Sequence, residues 1–279
     1  MIINILKAQT KVYATDLNKF YHTSYLFMPL FIDKRSYQAE LLDADDIPQN
    51  LLFQNLRELD IVNHYLGGHQ ITFAGLRKLL AKKENKTMPE TVAKTISIVD
   101  IGCGSGDTLV QIAKWAKKQG ISVQLIGVDL KADVIIYAKE HCKNYDNIQF
   151  IETDYRDIEK HLPQIPDIFI CSLFCHHLTE QQLIPLLQFM QAKSRIGFII
   201  NDLHRNILAY FGIKLLTILG NGSVLVRNDA PLSVWRGFHK TELIEILREA
   251  KITNCEVQWQ WAFRYLITHK KSDTLEISK

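Results

Sequence analysis

Ser97–Leu109 reads SIVDIGCGSGDTL. An apolar run feeds straight into glycine at every second position, Gly102, Gly104 and Gly106. Glycine has no Cβ, so a loop this rich in it turns sharply and lets a ligand approach the backbone closely. The apolar run predicts a buried strand and the residues after the loop an amphipathic helix. That order places the loop at the carboxyl end of a strand, where open α/β sheets bind ligands. The dinucleotide fingerprint G-x-G-x-x-G would need glycine at position 107, and Asp107 stands there. The stretch instead reads D-x-G-x-G-x-G, with Asp100 two residues ahead of the first glycine.

Downstream, the pattern alternates between strand and helix. ISIVDI is followed by a helix from about Gly106 to Lys118, VQLIGVD by a helix over Ala132 to Cys142, and IQFIE by DIFICSL, a helix over Glu180 to Ala192 and IGFIIND. Continuous apolar runs joined by amphipathic helices predict a parallel sheet covered on both faces. The helix KTELIEILREA then precedes CEVQWQWAF and RYLITHK, which read as an antiparallel pair. Upstream, Leu51, Leu52, Leu56 and Leu59 fall at helical spacing, Gly67 and Gly68 break the run, and a second amphipathic piece follows. The first residues show no clean periodicity, and Met28 offers an alternative start. Lys82–Lys94 is a polar linker by composition. The expected division is a helical extension and cap over 1–94 and a ligand-binding domain over 95–279.

The 279 residues are 47% apolar, enough for a large core, and carry a formal charge of only +3. Lysine and arginine are spread along the chain, so nucleic acid is not an expected partner. Five cysteines form no paired framework and no signal peptide opens the sequence, which points to the cytoplasm. The cluster CSLFCHH (Cys171–His177) has cysteines four apart beside adjacent histidines and no matching second ligand pair. No metal site is expected there, and Cys171 reads as a small core residue.

The ordered set of Asp100, the three glycines, Asp129 closing LIGVDL and Asp154 in IETDYRD resembles the class I S-adenosylmethionine-dependent methyltransferases, over about Ile96 to Lys270. The resemblance implies a Rossmann-like, doubly wound seven-stranded sheet with a terminal antiparallel pair, to which the N-terminal helical segment is added. It also implies S-adenosylmethionine as cofactor. Gly102, Cys103, Gly104 and Gly106 would pass under its methionine and ribose, and Asp100 would anchor the methionine end. Asp129, with Leu130 beside it, would take the ribose hydroxyls, and Asp154, with Tyr155, the adenine. Taken singly, a strand-end aspartate also reads as a helix cap, and Asp154 beside Asp157 as part of a solvated loop. A nicotinamide-dependent oxidoreductase and a non-catalytic cofactor-binding protein are the alternatives on the same fold.

Methyl transfer needs alignment and a dry site more than elaborate catalytic groups. The D/N-P-P-Y motif of amino-methyltransferases is replaced after the fourth strand by SLFCHHL, which disfavours an exocyclic amine. Asn201-Asp202 follows strand five, but Ser172 and Leu173 follow strand four, so the catechol type's magnesium site is incomplete. The CHHL turn resembles that of ubiquinone/menaquinone-biosynthesis methyltransferases, which makes His176 and His177 candidate bases toward a phenol or enol. As an alternative, one histidine caps the next helix and the other is exposed. Asp202, His204 and Arg205 in NDLHRN belong to the same rim. The segment Asn206–Val226 is apolar on nearly all sides but too short to span a bilayer. It is either core packing or the lining of a lipophilic acceptor site with peripheral membrane contact, in which case Trp235 and Phe238 of RNDAPLSVWRGF form the mouth. The expected acceptor is a small phenolic, quinone-like or polyketide-type molecule. Oligomeric state is not legible.

Overall fold

Alternate residues of the apolar strands sort onto opposite faces of one sheet, as a two-residue side-chain period requires. The computed structural model describes residues 32–44, 46–81 and 95–271. By its contacts the chain divides into two units, Met1–Asp33 and Lys34–Lys279. Nearly all of the first unit, including the alternative start at Met28, lies outside the described residues, as do the polar stretch Lys82–Lys94 and the last eight residues.

In the second unit the strands are β1 (Ile96–Ile101), β2 (Val123–Asp129), β3 (Ile148–Glu152), β4 (Ile168–Ser172), β5 (Gly197–Leu203), β6 (Cys255–Gln260) and β7 (Arg264–Lys270). They form one seven-stranded sheet in the order β3-β2-β1-β4-β5-β7-β6. The first five are parallel, and β7 runs antiparallel to both β5 and β6. The chain winds outward from β1 to β3, then returns to pair β4 with β1 and winds the other way. The crevice for a ligand therefore opens at the carboxyl ends of β1 and β4, where the winding reverses.

Helices α1 (Gln49–Tyr65) and α2 (Gly68–Leu80) precede the sheet, and α3 (Asp107–Gln119), α4 (Ala132–His141) and α5 (Glu180–Lys193) cross over between strands. Three more, α6 (Ile207–Leu219), α7 (Val224–Arg236) and α8 (Lys240–Glu249), lie between β5 and β6. Val99, Phe169, Cys171, Phe198 and Ile200 face a core completed by α5 and α8. Ile98, Ile168, Ile170 and Ile199 face a second core completed by α2 and α3. Helix α2 lies against the sheet itself, with Gly75 so close that an added Cβ would stand 2.8 Å from the Ile199 side chain. This contact brings α1, and the turn that joins it to α2, up to the carboxyl rim.

Two expectations are corrected. The apolar helix α6 is core on one face only: Ile213, with Ala209 and Tyr210, packs with α7 and with Leu59 and Val62 of α1, whereas Leu208, Phe211, Leu215 and Leu219 are exposed. RNDAPLSVWRGF does not form an open mouth. Most of it is the buried helix α7, and Phe238 is 1% exposed within the first core. Trp235 donates its indole N–H to the Lys34 carbonyl at 2.9 Å. Among the described residues no helix is long and apolar enough to cross a membrane.

Candidate active site

At the end of β1 the chain turns through Gly102, Gly104 and Gly106, all at positive φ (72°, 51° and 77°). Only glycine adopts that region without strain. An added Cβ at Gly102 would strike the Phe174 ring at 2.3 Å, so its reason is packing. At Gly104 a Cβ would meet nothing within 4 Å, which leaves that backbone open to the crevice. The Gly104 amide donates to Asp129 Oδ2 at 3.2 Å, and the Lys131 amide donates to Oδ1 at 3.2 Å. The carboxylate at the end of β2 thus holds the loop, and burial raises its pKa. Leu130, beside it, is exposed, and the Cys103 thiol is buried beneath the loop.

Asp100 is the electrostatic anomaly. Both of its carboxylate oxygens are buried and neither has a hydrogen-bond partner. Burial first, then the nearby Asp107 and Asp129, push its pKa well above the usual carboxylate range. A buried carboxylate without a partner is costly, and a bound cation would relieve it. The third predicted acidic position, Asp154, lies further out and accepts both the amide and the guanidinium of Arg156. Tyr155 packs edge-on against Phe174 at 6.0 Å, which ties the turn after β3 to the one after β4.

Side chains from α1 and α2 complete this end of the crevice, and sequence reasoning missed them. Ser105 donates its hydroxyl to Asp60 at 2.5 Å, Asn63 donates to Asp107 at 2.9 Å, and His69 Nε2 lies 3.4 Å from Asp107. Arg264, from β7, donates to Asn63 Oδ1 at 2.9 Å. Burial, with Asp107 beside it, pushes the Asp60 carboxyl up to about 7 despite the donated hydroxyl.

After β4, Leu173 takes a positive φ and Cys175–His177 form a single helical turn. Cys171 and Cys175 turn into the first core, and the histidines face a strap formed by residues 34–44. His176 is 3% exposed; its Nδ1 lies 2.7 Å from Asp202 Oδ1, and its amide donates to the other oxygen of that carboxylate at 3.2 Å. His177 is partly exposed, with Nδ1 3.0 Å from Asp43 Oδ1. Burial alone would raise Asp202, but His176 brings it below the usual carboxylate range. In the same way His177, the Glu40 amide and Arg236 outweigh the burial of Asp43. Neither histidine caps α5, because Thr179 does so with Gln182 in a capping box. Asn201 is turned to α2, donating to the Gly68 carbonyl at 2.9 Å, and His204 Nδ1 accepts the Trp259 indole N–H at 3.2 Å. Arg205 is fully buried; it donates to the Gly237 carbonyl at 2.8 Å and pairs with Glu242.

The strap explains how this turn is covered. Arg35 donates to the carbonyls of His176, Leu178 and Arg236, and Asp229 of α7 accepts the amides of Leu41 and Leu42. Lys131, next to the cofactor-side carboxylate, donates to the Leu42 and Ala44 carbonyls at 2.6 Å. Residues 34–44 therefore run from the β4 turn to the β2 turn across the crevice.

Residues 93–266, more than half of the chain, match the family model described as a methyltransferase domain. The chain belongs to the class I S-adenosylmethionine-dependent methyltransferases. No curated protein matches its sequence. Among solved structures it is similar to human N-acetylserotonin methyltransferase in complex with S-adenosylmethionine. That likeness has 15% identity and a TM-score of 0.55 over 81% of this chain, and the chain spans 57% of the human enzyme. It is also similar to the plantazolicin methyltransferase BamL, at 17% identity and a TM-score of 0.52, over 73% of this chain and 70% of that one. At these identities the likeness concerns the fold. The residues on the page fit the family's cofactor: an orphaned buried carboxylate suits its cationic methionine end, and a glycine open to the crevice suits close passage.

The raised Asp60 makes a pH prediction. The native state holds a proton that the unfolded chain, with an ordinary aspartate near 3.8, has already lost, so stability falls as pH rises from about 4 to about 7. Asp60→Asn should flatten that fall by about 4 kcal/mol, read from denaturant melts across the window. An identical slope in wild type and variant would mean that Asp60 is ionised in the native protein throughout.

Proposed function

We propose that the chain is a cytoplasmic enzyme that moves the methyl group of S-adenosylmethionine to an oxygen of a small, lipophilic phenolic, quinone-like or polyketide-type acceptor. One juxtaposition carries this reading. The orphaned Asp100 and the carboxylate-braced histidines follow β1 and β4, neighbouring strands at the point where the winding reverses. Asp100 receives the cationic methionine end, the amides around Gly104 line its path, and Asp129 with Leu130 meets the ribose. Asp154 and Tyr155 border the adenine. When bound, the cofactor supplies a methyl group on a positively charged sulfur, which needs no further activation.

The protein's share is to align the acceptor, exclude water and remove the acceptor's proton. His176 and His177 stand where that proton leaves. Asp202 and Asp43 hold their Nδ1 atoms, which turns each Nε2 toward Glu40 on the strap. The oxygen–methyl bond forms as the sulfur–methyl bond breaks, with the electron pair returning to sulfur. A neutral thioether then departs from a site that had held a cation.

The exposed stripe of α6 supports a lipophilic acceptor. Leu208, Phe211, Leu215 and Leu219 recur at helical spacing on a helix that begins just after the β5 rim and carries Lys214 among them. An apolar face with a basic residue suits peripheral contact with a lipid surface, from which such an acceptor is collected.

Two predictions separate cofactor side from acceptor side. Asp129→Ala should weaken S-adenosylmethionine binding by roughly 1.5–3 kcal/mol, since charge-assisted hydrogen bonds are lost. His176→Gln and His177→Gln should bind the cofactor as wild type does and lose about 10²-fold in turnover. Calorimetry and methyl-transfer assays read the two. NAD binding tighter than S-adenosylmethionine, or full turnover in both histidine variants, contradicts the assignment. Acceptor class is tested with labelled cofactor and matched phenols with and without a long alkyl chain. Wild type should prefer the alkylated phenol, and Leu215→Asp should reduce that preference. Equal rates on both phenols would leave the α6 stripe without a part in recognition.

A further inference from the structure

Glu40, on the strap, is 5% exposed and lies between the two histidines. Its Oε1 is 3.8 Å from His176 Nε2, and its Oε2 is 3.8 Å from His177 Nε2. Both contacts are too long for hydrogen bonds. The Nδ1 atom of each ring is engaged by a carboxylate, Asp202 or Asp43; with the proton on Nδ1, each Nε2 lone pair is turned toward Glu40. A cation between the two lone pairs and the carboxylate satisfies all three. We propose that Glu40, His176 and His177 form a binding site for a divalent transition-metal ion, with zinc the best-matched occupant.

The geometry meets the requirements of such a site one by one. The three ligand atoms lie within 4.8 Å of one another. Ligands bound at about 2.0–2.1 Å to a tetrahedral zinc stand roughly 3.4 Å apart, so spacings of 3.8 Å to one or other Glu40 oxygen, and of at most 4.8 Å overall, would have to contract around the ion. Two imidazole nitrogens and one carboxylate oxygen suit zinc and its first-row neighbours, whereas magnesium and calcium prefer oxygen alone. Each imidazole is already backed by a carboxylate, the arrangement that orients metal-bound histidines and raises their basicity.

Charge points the same way. The carboxylates touching the imidazoles are Glu40, Asp43 and Asp202, and the guanidinium in direct contact with them is Arg236. Carboxylates thus outnumber the guanidinium among the groups in direct contact with the rings. Arg236 Nε is 3.8 Å from Glu40 Oε1, but its other nitrogens donate to Asp43 and to the carbonyls of Gln38 and His177. Ser233 donates its hydroxyl to Glu40 Oε1 at 2.9 Å and leaves Oε2 to face His177.

Ligand spacing in the sequence could not show this site, because Glu40 lies more than 130 residues before the histidines. The site also pins the strap to the β4 turn. Resting on the methyltransferase reading, it gives the histidine pair a specific means of activation. The ion's remaining position would take the acceptor oxygen and lower its pKa; the zinc-bound histidines would then serve as ligands instead of proton acceptors, and the hydroxyl proton would be lost to solvent as the acceptor binds.

The test uses the full chain, stripped of metal by a chelator and titrated with zinc chloride by calorimetry, with metal content read by elemental mass spectrometry. Wild type should take up one zinc per chain and melt at a higher temperature with zinc than without. Glu40→Gln and His177→Gln should each weaken uptake by at least about 10-fold and lose the thermal shift, and Asp43→Asn should weaken it about 10- to 100-fold. Wild type that takes up no zinc, or Glu40→Gln that binds as wild type does, overturns the site. S-adenosylmethionine affinity of the metal-free protein is measured in parallel. Cofactor binding without zinc uptake defeats the metal site alone, and zinc uptake without cofactor binding defeats the methyltransferase reading alone.

Discussion

A buried carboxylate with no hydrogen-bond partner sits at the carboxyl end of the first strand, and much of the surrounding structure follows from that constraint. Asp100 is held there by β1, with Asp107 and Asp129 close enough to raise its pKa further. The protein spends its available donors on the neighbours instead. Gly104 and Lys131 amides serve Asp129, Asn63 serves Asp107, and Ser105 serves Asp60. What is left is a negative recess shaped by glycine backbone, and a positively charged ligand completes it. Stability is given up at this point and recovered on binding, the usual bargain at functional sites.

The turn after β4 is built on another plan. Charged side chains there are paired with one another: Asp202 and Asp43 hold the imidazoles, Arg236 bridges Asp43 to the β4 turn, and Arg35 ties off its carbonyls. Such a network fixes ring orientation before any ligand arrives, which is what an in-line methyl transfer asks of its acceptor side. The strap over 34–44 belongs to both ends, touching the β4 turn through Arg35 and the β2 turn through Lys131.

The sheet was legible because strands buried on both faces are continuous apolar runs, and the glycine loop because its spacing separates one cofactor class from another. The antiparallel β6 and β7 were legible from CEVQWQWAF and RYLITHK, the first as an alternating strand that lies at the sheet edge with no residue fully buried, the second as a run buried along nearly its whole length. Helix α7 was not, since Arg227, Asn228, Asp229 and Pro231 break any helical apolar stripe and are accommodated only by tertiary contacts such as Asp229 with the Leu41 and Leu42 amides. The exposure of α6 was also hidden, because an apolar segment carries no mark of which face its neighbours leave uncovered. The same limit applies to Glu40, Asp43, Asp60 and Asn63. They reach the site from the first quarter of the chain through packing of the strap and of α1 and α2, and nothing local to them signals it.

The central claim is that Asp100 awaits a cation, and calorimetry of S-adenosylmethionine binding in buffers of different ionisation enthalpy tests it most directly. The carboxyl is raised by burial and by Asp107 and Asp129, and a cationic ligand beside it favours the ionised form and draws its pKa down. The account predicts that binding releases protons, that affinity rises with pH, and that Asp100→Asn binds more weakly with its proton release diminished. Tight binding in wild type with no proton release, unchanged by Asp100→Asn, would contradict it.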